Sequence, residues 1–307
     1  MRIVFMGTPD YAAVTLKKLI DEKYDIAAVF AQPDKPVGRK QILTPPATKV
    51  VAEENNIPVY QPKTLRDGAS FEILKQINPD AIVVVAYGKI LPKEILDLPR
   101  YGCINGHASL LPKLRGASPI QWSIVTGEKR TGVTTMLMDE GMDTGDILET
   151  VVTDIGEQET AEELFDRLSV MSADLMVSTL KKAQEGVLTP IKQDESNASY
   201  APIIKKEMAH LDFTKTADEI CNAVRGFYSW PCAFCFINGK RIKVIKAEVC
   251  DLKSDECSRV IASDEKLVIS CRDGSVELLV VQPEGAKQMS AKVMLNGHKI
   301  ELGTVVE

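Results

Sequence analysis

Residues 80–112 read DAIVVVAYGKILPKEILDLPRYGCINGHASLLP. After Asp80 the run to Ala86 is apolar at every position, the pattern of a strand buried on both faces of a parallel sheet. Tyr87-Gly88-Lys89 turns the chain at its end. Past a second turn at 98–102 comes Cys103-Ile104-Asn105-Gly106-His107, which holds one of the three histidines in the chain. Asn105 and His107 are two apart, so in an extended segment their side chains share a face. Ligands of open parallel sheets sit beyond the carboxyl ends of the strands, and this stretch falls at such an end. A neutral amide and an imidazole aimed at one point can stabilise an oxyanion and move a proton. Taken alone, the same pair also fits a satisfied, half-buried strand end.

Upstream, residues 2–6 are apolar after Arg2, with β-branched Ile3 and Val4, and read as a first strand, and Gly7-Thr8-Pro9-Asp10 turns the chain into a helix predicted over 11–20, with Asp10 as a cap. A strand over 25–31 completes a strand–helix–strand unit of a parallel sheet. The first turn has Gly7 but no GxGxxG, so a nicotinamide-dependent oxidoreductase is disfavoured. Residues 32–40 (QPDKPVGRK) are proline-rich and basic, with Lys35, Arg39 and Lys40 on a segment unsuited to a helix or central strand. Such a loop is either a solvated surface or an arm that grips a phosphate backbone. Helices follow over 48–55 and 71–77, with a short strand at 59–60.

Downstream, a helix over 119–125 carries Trp122, and 132–138 alternates like a strand. Residues 139–147 (DEGMDTGDI) form a tight acidic loop without EF-hand spacing. A carboxylate there, Asp143, can orient His107 as the third member of a catalytic group. A long amphipathic helix starts behind Thr160 and ends at Gly186. Residues 189–208 are polar and read as a linker. Beyond a helix at 216–227, short strands recur over 233–238, 242–248, 259–262, 267–270 and 276–281, with hairpin dipeptides at Asn238-Gly239 and Asp273-Gly274. A small OB-like barrel is the expected architecture. Lys240, Arg241, Lys243 and Lys246 cluster on one of its hairpins, either a solvated surface or a phosphate-contacting face.

The net charge of −6 argues against nucleic-acid affinity through bulk charge but not against a local basic patch. From residue 209 onward 13 basic residues face 14 acidic ones, so the C-terminal part is the less acidic. Seven irregularly spaced cysteines and the lack of a signal sequence or a membrane-length apolar run point to a cytoplasmic protein. Cys232 and Cys235 have CxxC spacing, but apolar neighbours and a poorly spaced second pair favour buried thiols over zinc. No metal is expected.

Over nearly its full length the chain resembles the methionyl-tRNA formyltransferases. The matching pieces are FMGTPDYA (5–12), QPDKPVGRK (32–40), VVVAYGKILP (83–92), GCINGHASLLPKLRGASPIQW (102–122), MDEGMDTGDIL (138–148), WPCAF (230–234) and QPEGAKQMSAKVMLNG (282–297). The Asn-x-His-x-SLLP and Asp-Thr-Gly pieces mark the 10-formyltetrahydrofolate-dependent formyltransferases as a class. The basic loop and the C-terminal pieces point to the tRNA-acting members. The resemblance implies a Rossmann-like formyltransferase domain with a mostly parallel sheet over 1–188, a linker over 189–208 and an OB-like tRNA-binding domain over 209–307. It implies formyl transfer from 10-formyltetrahydrofolate to the methionine of initiator methionyl-tRNA; separately, the chain is expected to act as a monomer. Asn105, His107 and Asp143 fall on catalytic positions. Ser109, Leu110, Leu111 and Pro112 fall on the folate-contacting loop. Arg39 falls in the loop that reaches the acceptor end of the tRNA; Lys40, Lys240, Arg241 and Lys243 are the other expected tRNA contacts. Gly106 departs from the family pattern, which has a small branched apolar residue there, and is expected to loosen the strand.

Overall fold

The computed structural model describes every residue except Arg39. Two compact units are present. The first comprises Met1–Pro119, Thr131–Asp154 and Phe165–Ala201; the second comprises Ile120–Arg130, Ile155–Leu164 and Pro202–Glu307.

The first unit is built on a seven-stranded sheet. Its order in space is Ile147–Asp154, Arg130–Leu137, Cys103–His107, Ala81–Val85, Arg2–Gly7, Asp25–Phe30, Val59–Tyr60. Neighbours from Cys103–His107 through Val59–Tyr60 run parallel, while Arg130–Leu137 is antiparallel to Cys103–His107. Ala81–Val85 and Cys103–His107 are buried at every position, as near-continuous apolar runs in a covered parallel sheet should be. Val4, Met6, Ala28, Phe30, Ile82 and Val84 form the core on one face. The helix Asp10–Asp21 opens against expectation: no side chain caps it, and the Pro9 carbonyl receives the amides of Ala12 and Ala13 at 2.9 and 3.1 Å. Asp10 instead sits inside the first turn, where its charge suits the helix dipole.

The basic loop holds more regular structure than its prolines suggest. Lys35–Val37 and Ile42–Thr44 pair as an exposed antiparallel hairpin, tolerable for Pro36 because the ribbon has free edges. Its base is tied by Lys49, whose Nζ donates to both oxygens of Asp34 at 3.0 and 2.9 Å and to Gln61 at 3.0 Å.

In the second unit, Thr216 and Glu219 form a capping box at the start of the helix Ala217–Gly226. The antiparallel sheet runs Phe234–Ile237, Lys240–Cys250, Ser275–Pro283, Leu267–Ser270, Val260–Ala262. Asn238 and Gly239 take the left-handed conformation that a two-residue hairpin turn demands, with φ of 52° and 70°. Among the described residues, no helix is long and apolar enough to cross a membrane.

Gly106 is paired with Thr135 of the antiparallel neighbour. Its missing side chain leaves room for the helix Ala161–Glu185: a Cβ there would come within 3.0 Å of Ser172 Oγ and 3.4 Å of Met176 Cε. The glycine therefore answers to close helix–sheet packing rather than to a loose strand. Gly106→Val should lower stability by about 1–3 kcal/mol through overpacking, and Gly106→Ala by much less, since the Ser172 hydroxyl can turn aside. Urea unfolding of the two variants checks this; equal stabilities would contradict it.

Candidate active site

Asn105 and His107 share the face of their strand opposite Gly106, as two-residue periodicity requires. Both are buried, at 8% and 6% exposure. Their neighbours across the antiparallel pair are Met136 and Thr134. The loop after Leu137 brings back Asp143, which is 16% exposed. Its Oδ2 lies 3.6 Å from His107 Nδ1, and its Oδ1 accepts from Asn105 Nδ2 at 3.4 Å. The structure thus brings the three expected residues together on one spot at the carboxyl end of the central strands.

Two further partners escaped the sequence reading because they are backbone groups. The amide of Gly116 donates to Asp143 Oδ2 at 2.8 Å. The carbonyl of Leu114 lies 2.9 Å from His107 Nε2. A carbonyl can only accept, so Nε2 carries a proton, and in the neutral ring the lone pair is on Nδ1, toward Asp143. The Arg115-Gly116 pair in the quoted motif was the available signal, since only a glycine suits the site: φ is 111°, and a Cβ would meet the Ala201 carbonyl oxygen at 2.9 Å. A third partner is Gln193, whose Nε2 donates to the carbonyls of Asp143 and Gly145 at 2.8 and 2.7 Å.

The segment after His107 is held tightly. Leu111 N donates to Thr134 Oγ1 at 3.2 Å, Thr134 Oγ1 donates to the Ser109 carbonyl at 2.7 Å, and Ser109 Oγ to that of Lys113 at 2.6 Å. Ser109 and Leu111 are buried, while Leu110 and Pro112 are half-buried. Cys103 contributes no chemistry: burial, helped by Asp97, pushes its thiol up to about 12, far from a thiolate at neutral pH.

The expected tRNA contacts are scattered. Arg39 lies outside the described residues, and Lys40 is exposed beside it on the hairpin of the first unit. Lys240, Arg241 and Lys243 belong to the second unit, on the strand Lys240–Cys250. Lys240 is exposed and Lys243 half-buried. Arg241 is partly spent within the fold: its guanidinium carbon lies 3.8 Å from the centre of the Phe234 ring, which also stacks on His210 and meets Phe236 edge-on.

Residues 1–180 match the family model described as formyl transferase, and residues 203–299 match that of the formyl transferase C-terminal domain. The methionyl-tRNA formyltransferase of Caldanaerobacter subterraneus subsp. tengcongensis is 47% identical, with 100% of both chains covered. The chain belongs to the methionyl-tRNA formyltransferase family. The family member from Thermodesulfovibrio yellowstonii is 45% identical, over 98% of this chain and 97% of that one. Among solved structures, the N-formyltransferase from Helicobacter canadensis in complex with folinic acid and dTDP-3-aminofucose superimposes with a TM-score of 0.68 at 21% identity, covering 94% of this chain and 99% of that one. At that identity the likeness concerns the fold: a Rossmann-like, mostly parallel first sheet with an antiparallel C-terminal one.

In this formyltransferase, Gly116→Ala should lower turnover at least about tenfold, because moving its amide strips Asp143 Oδ2 of its closest donor. Steady-state formylation kinetics on the purified variant check this, and unchanged turnover would contradict it.

Proposed function

We propose that the chain transfers the formyl group of 10-formyltetrahydrofolate to the α-amino group of methionine on initiator methionyl-tRNA, acting as a cytoplasmic monomer in translation initiation. The observation that carries the site assignment is the convergence of Asn105 and His107 on the two oxygens of Asp143, at 3.4 and 3.6 Å. The acceptor rests on family membership over the full length of the chain.

The neutral amine attacks the formyl carbon, and the carbonyl electrons move onto oxygen. The Nε2 proton of His107 is engaged by the Leu114 carbonyl, which leaves Asn105 as the side-chain donor to that oxyanion. Only one of its two amide hydrogens is needed for Asp143. The attacking nitrogen must then lose a proton. The lone pair on His107 Nδ1 lies 3.6 Å from the carboxylate Oδ2, so a proton taken up at Nδ1 makes an imidazolium paired with the Asp143 charge. Collapse of the tetrahedral carbon breaks its bond to the folate nitrogen, and the same proton passes to that leaving group. No covalent enzyme intermediate is needed.

Ser109, Leu110, Leu111 and Pro112 would hold the folate: they follow directly on His107, are braced by Thr134, and present Leu110 and Pro112 as apolar surface for a planar ring. Arg39, together with Lys40 on the hairpin and Lys240, Arg241 and Lys243 in the second unit, would bind the phosphate backbone of the tRNA. The basic character of these two places supports a tRNA acceptor over a small amine.

Incubation with labelled 10-formyltetrahydrofolate and either methionylated initiator tRNA or small amines tests the reading; label on a small amine alone would reject it. His107→Ala and Asp143→Ala should each abolish most turnover with tRNA binding nearly unchanged, and Asn105→Ala should cost about 10²–10³-fold in rate. Wild-type rates in His107→Ala or Asp143→Ala would remove the site assignment. Lys240→Ala with Lys243→Ala should raise KM for the tRNA and flatten its salt dependence, with kcat little changed. Equal salt slopes for variant and wild type would argue against those two contacts.

A further inference from the structure

Resting on the catalytic reading of His107 and Asp143, we infer that the segment 193–199 is a positioning element that sets both partners of the His107 ring, with Gln193 as its central residue. The two partners are the Asp143 carboxylate at Nδ1 and the Leu114 carbonyl at Nε2. Both belong to residues in the left-handed region, at φ of 55° for Asp143 and 57° for Leu114. A non-glycine residue keeps that conformation only where its surroundings over-determine it. In both cases the segment supplies the bonds. Gln193 Nε2 donates to the Asp143 and Gly145 carbonyls at 2.8 and 2.7 Å, gripping the loop on either side of Thr144. Ser199 Oγ accepts from Leu114 N at 2.9 Å, and the Ser199 carbonyl accepts from Arg115 N at 2.8 Å. That last bond fixes the peptide unit whose carbonyl receives the His107 proton.

The segment is itself anchored. Gln193 Oε1 accepts from Arg115 Nε and Nη2 at 3.1 and 2.8 Å, and the guanidinium closes a two-bond pair with Glu195 at 2.7 and 2.9 Å. Arg115 is fully buried although Glu195 is 70% exposed. Between the two anchor points, Asp194 accepts from Ser196 and Asn197 and turns the chain at Glu195–Asn197. Gln193 thus uses both ends of its amide: the oxygen takes the buried cation, and the nitrogen takes the backbone that carries Asp143. Neither a carboxylate nor an apolar residue of this size can do both.

The test compares Gln193→Leu and Gln193→Glu by single-turnover formyl transfer at saturating substrates. The glutamate variant keeps an acceptor for Arg115, so it remains informative if the leucine variant fails to fold. Both should slow transfer at least about tenfold, with KM for the tRNA and for the folate within about threefold of wild type. In an Asp143→Asn background Gln193→Glu should cost less than about twofold more, since both changes act through the same carboxylate. A loss that simply multiplies in the double variant would overturn the positioning role, as would wild-type transfer in Gln193→Glu. Wild-type transfer in Asp143→Asn alone would instead overturn the catalytic reading beneath it.

Discussion

A buried polar side chain must find a partner or forfeit the free energy of its lost hydration. Asn105 and His107 face that requirement at the end of a strand that is buried along its whole length. The Leu114 carbonyl and the Asp143 carboxylate meet it, the Gly116 amide in turn holds that carboxylate, and all three lie outside the seven-stranded sheet. The strand carries the two polar side chains, and the segments around it carry their partners. This division suits a reaction in which charge must appear briefly in a dry place, because preorganised dipoles need not reorient as it develops.

Holding loops to such accuracy has a cost, visible in the backbone. Leu114 and Asp143 both take the left-handed conformation, and Gly116 and Gly145 sit where any side chain would strike a carbonyl oxygen. Such conformations persist when other bonds compensate for them. Arg115 and the chain around Gln193 provide that compensation from beneath the site. A guanidinium removed from water is tolerable there because Glu195 and Gln193 take up its donors.

The other face of the strand follows a simpler rule. Gly106 leaves space that the helix Ala161–Glu185 uses, so the residue between the two polar side chains sets how closely that helix approaches. Helix packing and active-site geometry therefore draw on three consecutive residues of one strand. Alternation keeps them independent, since neighbours on a strand point to opposite faces.

Much of this was legible before any coordinates. The apolar run 81–86 announces a covered parallel strand, and the spacing of Asn105 and His107 places them on one face. Asn238-Gly239 specifies a hairpin, and Thr160 and Thr216 with their glutamates mark helix starts, because these are local signals with local causes. Asp10 misled because a helix can begin on a bare proline carbonyl as well as on a side-chain cap. The paired strands inside the 32–44 region escaped because proline statistics speak of sheet interiors and this ribbon is free-standing. Beyond reach of any local signal were the Leu114 carbonyl and the Gly116 amide, which have no side-chain identity, and Gln193, which lies 50 residues from Asp143 in a stretch whose polar composition suggests a tether. Residue types and their periodicity disclose which groups are available. Which of them meet depends on long-range backbone contacts, and these exist only once the sheet has brought distant loops to the same edge.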